Sequence, residues 1–223
     1  MKRITCKDKA EWLTHRPHGL YGSDAAAIAG ETKWKNRMDV YLEKIEAKTG
    51  PDLSGNPKVQ YGVDAEEPLR QMFALDFPNL EIYSVPWEIL INDEHDFLRA
   101  TVDGLLIDVE GSLGVLEIKT ATIRDQDGWG EWDDKIPQNY YCQVLHYMLV
   151  TGAKFAWVKA YLRYDPYWTN GIPRAKVEHY RLDRVYLEDD IKILRDAEIK
   201  FWNEHVLPRN RPDSYVRLGG LYE

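Results

Sequence analysis

Three β-rich segments packed into the middle of the chain, with helical patterning on both sides, restrict the fold more than any other feature. Residues 80–91, 97–109 and 114–120 are rich in branched and aromatic side chains, and Asn92-Asp93-Glu94-His95 and Glu110-Gly111-Ser112 punctuate them as turns. They read as an antiparallel meander. Upstream, residues 8–16 carry a short helical pattern that Pro17-His18-Gly19 interrupts. Ser23-Asp24 can cap the small-residue run from Ala25 to Ala29, which Gly30 stops. Met38, Tyr41, Leu42 and Ile45 recur at helical spacing, with Gly50-Pro51 closing that helix. Residues 52–58 form a polar loop, and residues 64–77 a helix with Pro68 near its first turn. Downstream come a polar loop over 121–136, a helix over 138–150, strands over 154–164 and 176–182, and an amphipathic helix over 186–206 ended by Pro208. Helices, three strands, helix, two strands and helix, in that order, predict an α/β domain with a mixed sheet.

Composition narrows the class. At 223 residues, with 44% hydrophobic and 30% charged, the chain suits one globular domain with a sizeable core. The expected division is a helical part over about 1–78, a sheet with helices over about 79–207, and a polar tail. No apolar run approaches the roughly 18 residues that a membrane span needs. The basic start Met1-Lys2-Arg3 has no apolar stretch behind it, and Cys6 and Cys142 are the only cysteines. A cytoplasmic protein with free thiols is expected. The net charge of −8 opposes simple nucleic-acid binding. Yet an enzyme that holds a divalent cation needs carboxylates in its site, and basic residues can be confined to one groove. Eight Trp and fourteen Tyr are many, most of them core or half-buried, with some available to stack on a ligand.

The window richest in chemistry is Thr101-Val102-Asp103-Gly104, followed by Glu117-Ile118-Lys119. Strand alternation puts Glu117 and Lys119 on one face and Ile118 on the other. Asp103 would lie at the edge of a neighbouring strand, beside a glycine that lets the backbone bend. Two carboxylates converging from adjacent strands make an oxygen-donor site suited to Mg²⁺ or Mn²⁺. A lysine two residues on can orient a water and stabilise charge on a phosphate. Taken alone, an acid and a lysine two apart are usually a solvated strand face. Their company changes the balance: Glu66 precedes the β-rich region, and Gln143 and Tyr147 follow it at i, i+4 on one helix face.

The order Glu66, Asp103, Glu117-Ile118-Lys119, Gln143 and Tyr147 resembles the PD-(D/E)XK nuclease superfamily. Within it the chain is similar to the phage lambda-type exonucleases and YqaJ-like viral recombinases. Arg16 to Asp24, ahead of a small-residue helix, is similar to that family's Arg-to-Ser segment, and Tyr61-Gly62 and Val102-Asp103-Gly104 also match in type and order. The resemblance covers roughly residues 10–165. One departure is Thr101-Val102, where a proline often precedes the acid; Asp103 itself is intact.

The resemblance implies an α/β restriction-endonuclease-like PD-(D/E)XK core, a central mixed β-sheet flanked by α-helices. It implies Asp103 and Glu117 as metal ligands with the Ile118 carbonyl, and Glu66 at a second metal or reaching the first through water. Lys119 would position the attacking water, Gln143 would orient the nucleophile or the lysine, and Tyr147 would buttress that face. Arg16 and Ser23 would hold a terminal 5′ phosphate, a task that suits the guanidinium fork. The implied activity is Mg²⁺-dependent 5′-to-3′ digestion of one strand of linear duplex DNA, with Mn²⁺ as a possible substitute. It would leave 3′ tails for a single-strand annealing protein, and the implied assembly is a ring-shaped homotrimer.

Other residues admit two readings. Trp129, Trp132 and Lys135 lie where DNA could pass and could stack on a base, or could anchor their loop to the domain. Lys33, Lys35 and Arg37 suit backbone phosphates, though a solvated helix entry is the commoner explanation. Cys142 reads as a small buried residue, and His146 points away from the Gln143–Tyr147 face. Rival functions are an endonuclease or repair nuclease on the same core, a non-catalytic DNA-binding or assembly protein, and a carbohydrate-active enzyme. Lys119 beside Glu117 speaks against the last, which needs only two carboxylates at a fixed separation.

Overall fold

Val115, Leu116, Ile118 and Ile123 are all buried in one strand, so both faces of that strand must be covered. The strand is β6 (Leu113–Ile123), at the centre of a five-stranded sheet in a computed structural model that describes residues 1–46, 55–165, 167 and 169–213. Its neighbours are β5 (Gly104–Ile107), antiparallel, and β7 (Phe155–Tyr164), parallel. A parallel pair needs a crossover, here α6 (Gln138–Thr151), which Gly152 ends in the left-handed conformation. β2 (Glu81–Tyr83) and β8 (Ala175–Asp183) are the outer strands, both antiparallel to their neighbours. The mixed sheet, the 138–150 helix and the two later strands agree with the sequence reading.

The antiparallel meander does not. The segment 80–91 breaks at Ser84–Trp87, where Trp87 takes φ 58°, and its second half, β3 (Glu88–Ile91), joins another sheet. There it pairs with β1 (Lys2–Thr5) and β4 (Arg99–Ala100). β1 escaped the sequence reading because a four-residue, mostly exposed edge strand has little hydrophobic pattern.

Helices cover both faces of the main sheet. α4 (Pro57–Asp76) lays Leu69 and Phe73 on Leu106, Leu116, Ile118 and Phe155. The helix starts well before residue 64, with Pro57 in its first turn and the Asn56 side chain accepting from Lys58 N at 3.0 Å, so Pro68 lies inside it. Burial of the Leu69–Phe73 face outweighs the hydrogen bond that Pro68 forfeits. On the other face α6 packs against α2 (Gly22–Ala29) and α7 (Glu188–Phe201), with α3 (Arg37–Ile45) beyond. The expected helix over 186–206 is α7 with a 3₁₀ turn before it and a π turn after it. A short α1 (Lys9–His15) and α5 (Gln126–Gly130) complete the set. The Gly50-Pro51 helix stop, residues 52–54 of the polar loop and the end of the C-terminal tail lie outside the described residues. Among the described residues no helix is long and apolar enough to cross a membrane, and Cys6 and Cys142 are buried free thiols.

The N-terminal helices are tied together by a buried charge. α2 is capped from Tyr21, not from Ser23-Asp24; Asp24 sits at the third helical position and accepts from Tyr21 N at 3.0 Å. The fully buried Asp24 carboxylate also takes Lys44 and Lys35, each at 2.7 Å. Burial alone would raise its pKa, but Lys44, Lys35 and Arg16 hold it well below the usual carboxylate range. On the far side of α6, His146 Nδ1 lies 2.8 Å from Glu198 and Nε2 2.9 Å from the Arg99 carbonyl. A carboxylate and a carbonyl both accept, and the imidazolium, with two N–H donors, satisfies both contacts. Burial opposes that charge, but Glu198 and the Arg99 carbonyl raise the pKa of His146.

Two stability predictions follow from these pairs. Asp24→Asn strands the Lys44 ammonium and should lower unfolding free energy by about 3–5 kcal/mol in denaturant titration. In the wild type the Asp24 contribution is complete above pH 3.8, the ordinary aspartate value, and is lost as pH falls through the depressed folded value. The His146 contribution has the opposite sign: it is complete below pH 6.5 and is lost as pH rises through the raised folded value. Thermal melting at stepped pH should show that alkaline loss in the wild type and a smaller one in His146→Gln.

Candidate active site

The β5–β6 ladder ends at Gly104↔Leu116, so beyond Leu116 one edge of β6 has no strand beside it among the described residues. Asp103, the residue just outside the ladder, takes the next amide: its Oδ2 accepts from Ile118 N at 2.7 Å. In a strand the N–H and C=O of one residue point to the same side, so the Ile118 carbonyl faces this open edge. The opening is a cleft of about 350 Å³ between α4 and α6. Glu66 from α4, Asp103, and Glu117, Ile118 and Lys119 from β6 line it. Gln143 and Tyr147, one turn apart on α6, line its other wall. The structure therefore brings together the whole set that the sequence picked out for catalysis and metal binding.

Their contacts form one network. Lys119 Nζ lies 2.5 Å from Glu117 Oε1 and donates to Gln143 Oε1 at 3.1 Å. Gln143 Nε2 donates to Glu117 Oε1 at 2.8 Å and to the Tyr147 hydroxyl at 2.6 Å. The Tyr140 ring lies 4.6 Å from the lysine nitrogen. On the α4 side Arg70 pairs with Glu66 and Glu67 and donates from Nε to the Asp103 carbonyl at 2.7 Å. Arg70 was not singled out from the sequence. Its i+4 spacing from Glu66 was legible, but its reach to Asp103 depends on how α4 docks.

The electrostatics favour a cation. Burial, then the Asp103 charge, push Glu117 up to about 8, against the pull of Lys119. Asp103 is also raised, chiefly by burial, and Glu66 by burial and then by Asp103. Glu117 Oε2 is buried and accepts no hydrogen bond. Among the described residues no three His, Cys, Asp or Glu side chains are clustered tightly enough to hold a metal ion by themselves. The donor set that fits a hard divalent ion is thus Asp103, Glu117 and the Ile118 carbonyl, the rest of the shell being water, as Mg²⁺ prefers. Glu66 is held by Arg70 and would reach such an ion through water.

The Arg16–Ser23 pair forms and adjoins the cleft. Arg16 Nη2 donates to Ser23 Oγ at 3.0 Å, the guanidinium lies 4.4 Å from the Tyr21 ring centroid, and Asp24 stands 3.9 Å away. Gly22, beside Ser23, makes the junction. A β-carbon there would lie 2.6 Å from the Tyr147 ring and 2.9 Å from Gln143 Cγ, so only glycine lets α2 approach so closely.

The remaining candidates for DNA contact divide, and Trp132 needs correction. Trp132 is only 3% exposed and packs with Tyr140 and Tyr180, whose hydroxyl donates to the Trp132 carbonyl. It is a loop anchor and cannot stack on a base. Trp129 is half-buried against Tyr164, with Lys176 4.5 Å from its ring. Lys33, Lys35 and Arg37 do not act as one cluster. Lys35 is spent on Asp24 and Glu43, at 2.7 and 2.6 Å, and Arg37 lies 5.5 Å from the Phe201 ring with its Nε buried and unbonded. Lys135 is exposed and lines a surface groove with Lys33 and Trp34, apart from the residues of the carboxylate cleft.

Comparison with known proteins places this geometry. Residues 11–154 match the family model of the YqaJ-like viral recombinase domain. The protein YqaJ of Bacillus subtilis (strain 168), itself uncharacterized, is 30% identical over 202 residues, which cover 91% of this chain and 58% of that protein. The fold is similar to the crystal structure of an alkaline exonuclease from Laribacter hongkongensis, with a TM-score of 0.59 at 20% identity over 88% of this chain and 94% of that one. The same enzyme in complex with dAMP also superposes at 0.59. A phage-related exonuclease from Haemophilus somnus 129PT gives 0.52 at 19% identity over 83% of this chain and 94% of that one. These likenesses establish the PD-(D/E)XK fold. With the family model matched over more than half of its length, the chain belongs to the YqaJ-like viral recombinase family.

Proposed function

We propose that this chain is a divalent-metal-dependent deoxyribonuclease that digests one strand of linear duplex DNA from a 5′-phosphorylated end. The observation that carries the reading is the junction at Gly22, which packs against the Gln143–Tyr147 wall of the carboxylate cleft and so brings the adjoining Ser23, with Arg16 bonded to it, to the rim of that cleft. A bidentate cation and a hydroxyl suit a terminal phosphate, and the cleft beside them suits hydrolysis of the next bonds along the strand. A Mg²⁺ or Mn²⁺ ion held by Asp103, Glu117 and the Ile118 carbonyl would supply Lewis acidity toward the phosphate and acidify its bound water. The chain's own groups do the rest. Lys119 spends N–H bonds on Glu117 and Gln143, which aim its ammonium and leave a donor for the attacking water or the phosphate oxygens. Gln143 locks that lysine from the α6 side, and Tyr147, raised by burial and then by Glu117, stays a neutral phenol that accepts from Gln143. The related fold of an alkaline exonuclease that was crystallised with dAMP is consistent with a nucleotide product. The 3′ tails so produced would feed a single-strand annealing protein, and a homotrimeric ring with a positive lumen would reconcile the net charge of −8 with a DNA substrate.

The test uses linear duplexes with 5′-phosphate or 5′-hydroxyl ends and a closed circle, each with Mg²⁺ and with EDTA. Loss of the phosphorylated linear duplex in Mg²⁺ alone, with the circle spared, is the expected result. Lys119→Ala should cost about 10²–10³ in rate without unfolding the protein. Arg16→Ala should erase the preference for phosphorylated ends, a loss of roughly ten- to hundredfold for one charged hydrogen bond. Cleavage of the circle would make the protein an endonuclease, and wild-type inertness toward every substrate would remove the catalytic reading.

A further inference from the structure

Arg16 and Ser23 flank the cleft on the α6 face of the sheet, and the opposite flank carries its own cation. Arg163 on β7 lies across from Thr122 in the parallel register, three rungs beyond Lys119↔Ala160. Its guanidinium carbon sits 3.5 Å from the Tyr61 ring centroid, and Nη2 donates to Thr122 Oγ1 at 3.4 Å. Nε is buried and unbonded, and no acidic side chain pairs with Arg163 among the contacts of the described residues. Arg37 shares that pattern on the far side of the domain, but Arg163 is the one beside the carboxylate cleft. Arg16, Arg70, Arg181 and Arg184 all face a carboxylate. Tyr61 belongs to the first turns of α4, where Lys58 and Gly62 line the cleft on either side of it, with Thr120 facing Gly62. Lys58 and Tyr61, three apart, share a helix face.

We propose that Arg163, stacked on Tyr61 and flanked by Lys58, binds a backbone phosphate of the strand being degraded, on the side of the cleft away from the Arg16–Ser23 pair. This rests on the DNA-hydrolysis reading above and extends it from a terminal contact to a path across the site. The strand would then run from Arg16 and Ser23, past the carboxylates, to Arg163. Aromatic stacking restrains a long side chain in advance, so less conformational entropy is lost when phosphate binds. A purely structural strut between α4 and β7 would use the same stacking but would not sense salt in the same way.

The experiment measures fluorescence anisotropy of the full chain with a 5′-phosphorylated linear duplex, Ca²⁺ replacing Mg²⁺, across about 50–200 mM salt. Arg163→Gln should weaken binding by about three- to tenfold and flatten the log K against log salt slope by about 0.9, one phosphate contact. Arg163→Lys should keep the wild-type slope, and both variants should melt within a few degrees of wild type. A wild-type slope and affinity in Arg163→Gln would overturn the proposal. So would equal losses in the Gln and Lys variants together with a lowered melting point, which mark a strut. If the wild type neither binds nor cleaves DNA, the nuclease reading falls and this subsite falls with it; if the wild type cleaves and only the Arg163 predictions fail, the nuclease reading stands.

Discussion

The short ladder between β5 and β6 governs the site. Because pairing stops at Gly104↔Leu116, β6 runs on with one edge uncovered, and the amide and carbonyl of Ile118 turn toward a cleft instead of toward a neighbouring strand. An open edge is ordinarily a liability for a sheet. Here the Asp103 side chain stands in for the missing strand by accepting the Ile118 amide, and so lies against the backbone that also carries Glu117 and Lys119. A buried Glu117, a half-buried Asp103 and a backbone carbonyl turned to the cleft follow from one early strand ending, with α4 and α6 as the walls.

Charge placement follows the same economy. Asp24 is surrounded by Lys44, Lys35 and Arg16 and carries its negative charge fully buried, which ties α2 to α3 and keeps Arg16 beside Ser23. At the cleft the balance runs the other way. Among the described residues Asp103, Glu117 and Glu66 are answered by Lys119 and Arg70, and the carboxyls respond with raised pKa values and an unbonded Glu117 oxygen. The first cluster is a closed structural unit. The second has capacity for one more cation, which is the physical basis for proposing a divalent metal there and none at Asp24.

Much of this was legible in the residues. Alternation placed Glu117 and Lys119 on one face of a strand, i, i+4 spacing joined Gln143 to Tyr147, and the folded chain gathers all four in one cleft. What misled was local pattern without partner information. Residues 80–91 read as one strand, yet Trp87 at φ 58° divides it between two sheets, and the partner that claims its second half, β1, is too short and too polar to announce itself. Asp64 looked like the start of a helix, but packing of Leu69 and Phe73 carries the helix through Pro68 from Pro57. Trp132 admitted both base stacking and loop anchoring, and Tyr140 and Tyr180, which enclose it, decide for the anchor.

By itself, then, the sequence determined the α/β class, the central strand and the identities of the acids, the lysine and the amide that the cleft gathers. Periodicity and turn chemistry are local, and those residues lie within a few positions of the signals that betray them. Tertiary structure alone decided that Arg70 clasps Glu66 and reaches the Asp103 carbonyl. It decided that Gly22 packs against the cleft wall and brings Ser23 and Arg16 to its rim, and that Arg163 faces Tyr61 and Thr122 instead of a carboxylate. Each of these depends on how helices dock onto a twisted sheet, a non-local outcome of packing that no window of neighbouring residues contains.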